Sequence, residues 1–413
     1  MHLGRRPATL ILGPEVRIIV PIARSLGRRR VPVIAANWLR DVATPHSRSI
    51  VGYRKLPNPS AGYAAFAASL RDLVLSEGID WVIPTTDLAL DCLAGCAQDL
   101  RSVAMVACPP AEAVDLVLDK HATLAAAEQC GIPVPRTYRA AEAVAQLARV
   151  RFPVIAKGSD KRIPADFKVR YYGTAAALTN AIESDPRFGE KHLIQEYAPG
   201  VGVGVEVLMW DGDPVVVSQH RRLKENPSFG GVSVVAVSES PDATLKEMAV
   251  RLLRRIGWSG PAMVEFRCDP TTGAVCLMEV NGRYWGSIAL SIRSGVDFPG
   301  LAWDLAHGIR PEQPVCRVGV KARWTAGLIL RQANLLHDMN GFPQPSFWRD
   351  LPGAAVDLCG GAHDMLWTWR DPLPALIEAA SASRWLLDPR AILRRTNVCN
   401  AKTRILRGRT GLG

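Results

Sequence analysis

The chain has 413 residues, of which 48% are hydrophobic and 22% charged. Fifty Lys and Arg against 39 Asp and Glu give a formal net charge of +11. The length exceeds one ordinary domain, and the apolar share can bury a sizeable core, so two or three domains are expected and a disordered chain is excluded. The positive balance points to an anionic partner, whether nucleic acid, lipid head group or phosphate, without choosing among them.

In chain order, Ala8 to Leu12 reads as a buried strand, turned by Gly13-Pro14 into a helix from Val16 to Leu26 with Gly27 as its C-cap. Val31 to Ala35 is a second strand, Tyr63 to Leu75 a helix ended by Gly78, and Trp81 to Pro84 a third strand. Strands alternating with helices imply a parallel sheet, so residues 1–108 are expected to form a small doubly wound domain. The turn Leu12-Gly13-Pro14-Glu15 is not GxGxxG, which argues against a dinucleotide site there. Nine cysteines, odd in number, form no CxxC pair. Cys92 and Cys96 share a helix face without a second ligand pair, so they read as core thiols of a reducing, cytoplasmic compartment rather than a zinc site. No apolar run reaches the roughly 20 residues of a membrane span, and Ala8 to Leu12 is too short for a signal segment.

After Pro109-Pro110, two helices run from Ala111 to Val117 and from Asp119 to Cys130, the second capped by Asp119 and closed by Gly131. A helix from Ala141 to Val150 and a strand from Pro153 to Lys157 precede a polar stretch, Gly158 to Lys168, read as a loop. His192 to Tyr197 is a strand. Val203–Met209 and Pro214–Gln219 form a hairpin about Asp211-Gly212. Leu245 to Ile256 is an amphipathic helix. Met263 to Cys268 and Val275 to Asn281 are strands around a turn at Thr272-Gly273. From about 310 the chain is rich in Trp, Leu and Pro, which reads as a packed or interface-forming region. Arg390 to Gly413 carries seven basic residues and no acid, the place to seek weak contact with an anionic surface.

Chemistry concentrates in Met278-Glu279-Val280-Asn281-Gly282-Arg283. On a strand, Glu279, Asn281 and Arg283 share a face, and a hairpin centred on Thr272 sets Glu265 opposite Glu279. Two carboxylates with an amide oxygen suit Mg²⁺, and Arg283 beside them suits a transferring phosphoryl group. Lys157, closing an apolar strand next to Gly158-Ser159, can reach a phosphate, as can Lys120. Gln195-Glu196-Tyr197-Ala198-Pro199-Gly200 ends a strand where backbone groups can read an adenine edge. His220 to Glu225, leading into Gly230-Gly231, reads as a basic segment by a polyphosphate lid, and no nucleic-acid module accompanies it. Asp87, Trp285 and Ser287 are substrate-side candidates, although Asp87 is read first as a helix N-cap.

The order of these pieces resembles the ATP-grasp superfamily, in its carboxylate–amine ligase branch with a carbamoyl-phosphate-synthase-like ATP-binding domain. The resemblance covers residues 1 to about 310. It implies an α/β architecture: a small parallel pre-ATP-grasp domain (1–108), an ATP-grasp domain (109–310) and a C-terminal mixed extension (311–413). It also implies ATP with Mg²⁺, Mn²⁺ being a substitute. Lys120 and Lys157 would contact phosphates, Gln195, Glu196 and Tyr197 would form the adenine hinge, and Glu265, Glu279 and Asn281 would hold the metal. Arg283 would stabilise the phosphorylated intermediate with Arg222 near the phosphates. Many relatives carry a ribose-binding acid two residues after the hinge glycine. Here that position is Gly202, and Glu206 lies further along the strand. The implied reaction activates a carboxylate as an acyl phosphate, which an amine attacks to give an amide, ADP and phosphate. A bicarbonate-activating carboxylase and a nucleotide-binding protein without turnover are the competing readings. The expected partners are a small-molecule carboxylate and an amine, with no specific nucleic acid; the C-terminal region is expected either to help choose substrate or to make a homodimer contact.

Overall fold

A computed structural model describes residues 7–39, 41–163, 167, 169–228, 230–337 and 344–387. The basic tail Arg390–Gly413, Arg5-Arg6, Lys168, Phe229 and Cys399 lie outside the described residues, as does the side chain of Trp385.

The N-terminal part runs β1 (Ala8–Leu12), α1 (Val16–Arg28), β2 (Val33–Asn37), β3 (Gly52–Lys55), α2 (Tyr63–Glu77), β4 (Ile79–Pro84), α3 (Asp87–Leu100) and β5 (Met105–Val106). The five strands pair in parallel in the order β3-β2-β1-β4-β5. The connection from β1 leaves toward β2 on one side and the chain returns as β4 on the other, so the strand order switches at β1. Segments that follow β1 and β4 meet at their carboxyl ends, the place where such sheets bind ligands. Glu15 and Asp87 stand in those two segments. Two sequence expectations shift: α1 continues through Gly27 to Arg28, and the strand placed at Val31–Ala35 begins two residues later, at Val33. Cys92 and Cys96 are buried on α3, with Cys96 Sγ donating to Cys92 O at 3.1 Å.

The middle part runs α4 (Ala111–Leu118), α5 (Lys120–Gln129), β6 (Thr137–Tyr138), α6 (Ala140–Ala145), β7 (Val154–Gly158), β8 (Val169–Tyr172), α7 (Ala175–Ser184), α8 (Phe188–Lys191) and β9 (His192–Glu196). The helix expected over 141–150 breaks after Ala145 into a 3₁₀ turn, Leu147–Arg149. Asp119 caps α5 by accepting from the backbone N–H groups of His121 and Ala122. Four strands form an antiparallel sheet in the order β6-β9-β7-β8, with its own core around Ala143, Val154, Leu178 and Ile194.

A larger sheet follows from β10 (Val201–Trp210), β11 (Asp213–Asn226), β12 (Val232–Glu239), α9 (Ala243–Ile256), β13 (Gly260–Cys268) and β14 (Val275–Asn281). The β10–β11 turn has Asp211 at φ 50° and Gly212 at φ 84°, the paired left-handed conformation that matches strand twist. His220 to Glu225 lies inside β11, paired with β12, rather than at the lip of a lid. Then come α10 (Ile288–Arg293), α11 (Phe298–Ala306), β15 (Lys321–Arg323), α12 (Thr325–His337), α13 (Phe347–Val356), β16 (His363–Asp364) and α14 (Leu373–Leu387). The full order is β14-β13-β10-β11-β12-β15-β16, so residues beyond 310 extend this sheet by two strands.

Side-chain alternation divides the sheet. Val203, Val205, Val207, Val264, Leu277 and Val280 join one continuous core with α9 and with the N-terminal sheet. The opposite face carries Gly202, Gly204, Glu265, Arg267, Glu279 and Asn281, placed by the pairings Gly202↔Arg267, Gly204↔Glu265 and Glu265↔Glu279. The segment after 310 is fastened to the first part by Asp371, which accepts from Arg24 Nε at 3.0 Å, Arg24 Nη2 at 2.9 Å and Ser47 Oγ at 2.6 Å. Its tryptophans differ: Trp348 and Trp369 are 75% and 87% exposed, whereas Trp324 packs against α12. Among the described residues no helix is long and apolar enough to cross a membrane.

Candidate active site

The acids converge where Glu265 pairs with Glu279. Asn281 Nδ2 donates to Glu265 Oε1 at 2.9 Å and to Glu279 Oε1 at 3.2 Å, so one amide sits between two facing carboxylates. Arg222 Nη2 binds the other oxygen of Glu265 at 2.6 Å. Arg222 Nη1 reaches Glu225 Oε1 at 3.3 Å and Gly231 O at 3.1 Å. Arg267 closes the same group, with Nη2 to Glu225 Oε2 at 2.9 Å and Nη1 to Gly200 O at 2.7 Å. Gly202 explains how these long side chains lie flat: a Cβ there would come within 2.7 Å of Arg222 Cδ and 2.9 Å of Glu225 Oε1. A side chain at Gly202 would have to displace them.

Three lysines close in, Lys120 from the start of α5, Lys157 from β7 and Lys161 from the loop after β7. A bulge at Glu265/Phe266 leaves Met278 out of the β13–β14 ladder, and its carbonyl accepts from Lys157 Nζ at 3.3 Å. Two residues on, Val280 O accepts from Lys161 Nζ at 2.7 Å. Because β14 is an edge strand, carbonyls two apart face the open side, and the two ammonium groups cap them. Lys120 Nζ donates to Gly158 O at 2.8 Å. Burial, with Lys120 nearby, pushes the Lys157 ammonium down to about 7, and burial lowers Lys120 as well. Burial works to raise the Glu279 carboxyl, but Lys161, Lys120 and Lys157 outweigh it and hold the group well below the usual carboxylate range. Lys161 was not singled out in the sequence. The polar loop after Lys157 was the signal, and only folding shows which of its cations turns inward.

Arg283 joins the site to the N-terminal sheet. Its Nη2 lies 3.2 Å from Asp87 Oδ2 and 3.3 Å from Asn281 Oδ1. Asp87 is also 3.9 Å from Lys161 Nζ. Thr86, not Asp87, caps α3 by accepting from Ala89 N, so the carboxylate of Asp87 is left for the two cations. Burial works against the charge on both partners, yet the pairing outweighs it, lowering Asp87 and raising Arg283. Trp285 is fully buried, its Nε1 donating to Ser291 Oγ at 3.3 Å, and Ser287 is buried too, so neither presents a surface to a substrate.

Other expected residues are turned away. Glu206 is 1% exposed, its carboxylate accepting from Ser218 Oγ at 2.6 Å and facing His220 Nδ1, so it is sealed inside the sheet and cannot meet a ribose. Gln195 is fully buried and donates to Thr137 Oγ1 at 2.9 Å, so it lines the strand pairing rather than a base. The Glu196 carboxylate accepts from Tyr138 OH at 2.9 Å and Arg151 N at 3.2 Å. The backbone N–H groups of Glu196 and Tyr197 already donate to Arg136 O and Pro153 O, which moves any hinge donor on to Ala198. The Tyr197 ring meets Tyr171 edge-on at 5.9 Å between centroids.

The donor set fits a divalent cation. Two carboxylates converge on one point, and that point is held by an amide whose oxygen takes the nitrogen's place on a half-turn. The charge inventory fits an anion beyond it. Lys120, Lys157, Lys161, Arg222, Arg267 and Arg283 face Glu225, Glu265, Glu279 and Asp87, six cations to four acids, a formal excess of two. No group of three or more His, Cys, Asp or Glu that could hold a metal occurs among the described residues, so a metal here would depend on the amide.

Residues 189–327 match the family model described as ATP-grasp in the biosynthetic pathway with Ter operon. No curated protein sequence matches the chain. Among solved structures, the chain is similar to an L-amino acid ligase from Bacillus licheniformis, at 17% identity over 75% of this chain and 76% of that one, TM-score 0.59. It is similar to N5-carboxyaminoimidazole synthetase from Staphylococcus aureus complexed with ADP, at 14% identity over 81% and 87% of the two chains, TM-score 0.61. It is also similar to the biotin carboxylase domain of the Hydrogenobacter thermophilus 2-oxoglutarate carboxylase in complex with MgADP and bicarbonate, at 16% identity over 77% and 74%, TM-score 0.58. With its paired sheets and the Glu265–Glu279 hairpin on the inner face, this chain has the ATP-grasp fold, preceded by a small parallel α/β sheet.

Proposed function

We propose that this protein is an ATP-dependent carboxylate–amine ligase, forming an amide from an amino acid, peptide or small metabolite with release of ADP and phosphate. The observation that carries the reading is the excess of two buried positive charges around an oxygen-rich hairpin, a polarity that a bound polyphosphate would offset. Lys120, Lys157 and Lys161, now resting on backbone carbonyls, would turn to phosphate oxygens. Glu265, Glu279 and Asn281 would hold Mg²⁺, with Mn²⁺ as a substitute. When bound, such a cation supplies charge neutralisation at the transferred phosphoryl group. Arg283, steadied by Asp87, would hold the carboxylate of the substrate and then the acyl phosphate made from it. Arg222 would keep Glu265 ionised and aimed. With Arg283 and Asp87 beside the carboxyl ends of β1 and β4, the carboxylate and amine would meet between the two parts of the chain.

The test is ADP release with a panel of amino acids and simple amines, with and without bicarbonate. Amine-dependent ADP release with a matching amide product supports ligation. Release that needs bicarbonate and ignores every amine would replace ligation with carboxylation, and ATP binding with no turnover under any pairing would leave a nucleotide-binding protein.

A further inference from the structure

A cleft of about 530 Å³ opens between α1, α10 and the segment after residue 316, and none of the side chains described above as forming the proposed ATP site lines it. Its volume is in the range of small-molecule sites, about 300–1,000 Å³. Pro21, Ala289 and Met365 give it a buried apolar floor. Four guanidinium groups stand around that floor: Arg24, Arg28, Arg293 and Arg317.

Their partners decide what the cleft can take. Arg24 is neutralised by Asp371 at 2.9 Å, and Arg28 has Asp297 at 3.6 Å. Arg293 and Arg317 have no carboxylate partner within ion-pair reach among the described residues. Arg293 Nη2 donates to Trp367 O at 3.4 Å, and Arg317 Nη2 donates to Arg293 O. Asp364 acts on Arg293 through space, but its carboxylate already accepts from Thr325 Oγ1, Leu366 N and Trp367 N. Two guanidinium groups therefore line the cleft with donor capacity unspent. Planar forks of this kind bind carboxylate and phosphate oxygens in pairs.

We infer that this cleft is a second ligand site, for a small organic anion that sets an apolar body on the Pro21–Met365 floor and two or more carboxylate or phosphate oxygens on Arg293 and Arg317. It stands apart from the proposed ATP site and requires nothing of the chemistry there. Carboxylate and phosphate share this recognition, so matched probes separate the sources: isophthalate and phenyl phosphate carry the same ring, and inorganic phosphate lacks it.

The full-length protein is titrated calorimetrically with each probe, in the absence of ATP and again with saturating ATP. Saturable one-to-one binding of isophthalate or phenyl phosphate is expected, tighter than that of inorganic phosphate and unchanged by ATP. The variant Arg317→Gln, at an exposed position, should weaken it at least tenfold with the unfolding midpoint unchanged. Arg293→Gln should do the same, and Arg317→Lys should retain part of the affinity. The inference fails if neither ring compound binds, if ATP displaces them, or if binding survives both variants.

Discussion

Replacing Glu279 with glutamine removes one negative charge and almost no volume, at a position where three ammonium groups and one amide converge. The local excess of positive charge rises from two to three, so attraction for the phosphates of ATP is preserved or strengthened. What disappears is one of the two carboxylates proposed to hold the metal. Charge stabilisation of this kind is worth about 3–4 kcal/mol at the transition state, so kcat should fall on the order of 100- to 1,000-fold while KM for ATP changes less than about threefold. The concentration of Mg²⁺ for half-maximal rate should rise about tenfold or more. The assay is steady-state ADP release over a grid of ATP and Mg²⁺ concentrations, with ATP binding measured separately by calorimetry. A variant that keeps kcat within about threefold of the parent would refute the metal assignment. One that loses ATP binding together with kcat would show Glu279 to be an anchor for the lysines instead.

Lys161→Met removes the cation on Val280 O and should raise KM for ATP about tenfold, read from the same ADP assay; an unchanged KM would remove Lys161 from the phosphate set. Asp371→Ala leaves Arg24 without the Oδ2 that takes two of its N–H groups, and Ser47 without an acceptor. Chemical unfolding should show a loss of about 2–4 kcal/mol, and a loss under about 0.5 kcal/mol would show that the segment after 310 is held by other contacts. Glu378, on α14, accepts from Trp324 Nε1 at 2.9 Å, and burial pushes its carboxyl up to about 7. A carboxyl raised in the folded state binds its proton more tightly there than in the unfolded chain, so its contribution to stability is complete below pH 4.5 and is lost as pH rises through 7. Glu378→Gln should therefore leave stability near pH 5 unchanged and raise it by about 1–2 kcal/mol at pH 8, the discount reflecting partial exposure. Parallel unfolding curves at both pH values would contradict the assignment of this carboxyl.

The turn at Thr272-Gly273 was legible, but it pairs Phe266 with Leu277 and would by itself set Glu265 opposite Met278; the bulge that skips Met278 brings Glu279 there. The face shared by Glu279 and Asn281 was legible because strand alternation is local. The cap at Asp119, the turn at Asp211-Gly212 and the parallel N-terminal sheet were readable for the same reason: each depends on neighbours in sequence and on hydrophobic period. Side-chain direction at longer range was not. Glu206 and Glu196 are acids at promising positions along strands, yet cross-strand partners His220, Ser218 and Tyr138 claim them. The basic run at 220–225 looked like one patch, but strand alternation and the sheet divide it, sending Arg222 to Glu265 and Lys224 to Asp357.

The +11 balance is the plainest case of that division. Sequence alone determined the size of the excess and the chemistry of the hairpin it had to serve. Tertiary structure decided where the charge gathers. Lys120, Lys157, Lys161 and Arg283 meet Glu279 and Asp87 from separate elements, and Arg24, Arg28, Arg293 and Arg317 gather around a different cleft. Ion pairing acts across space after the chain has closed, and composition records how many charges there are without recording which ones find partners.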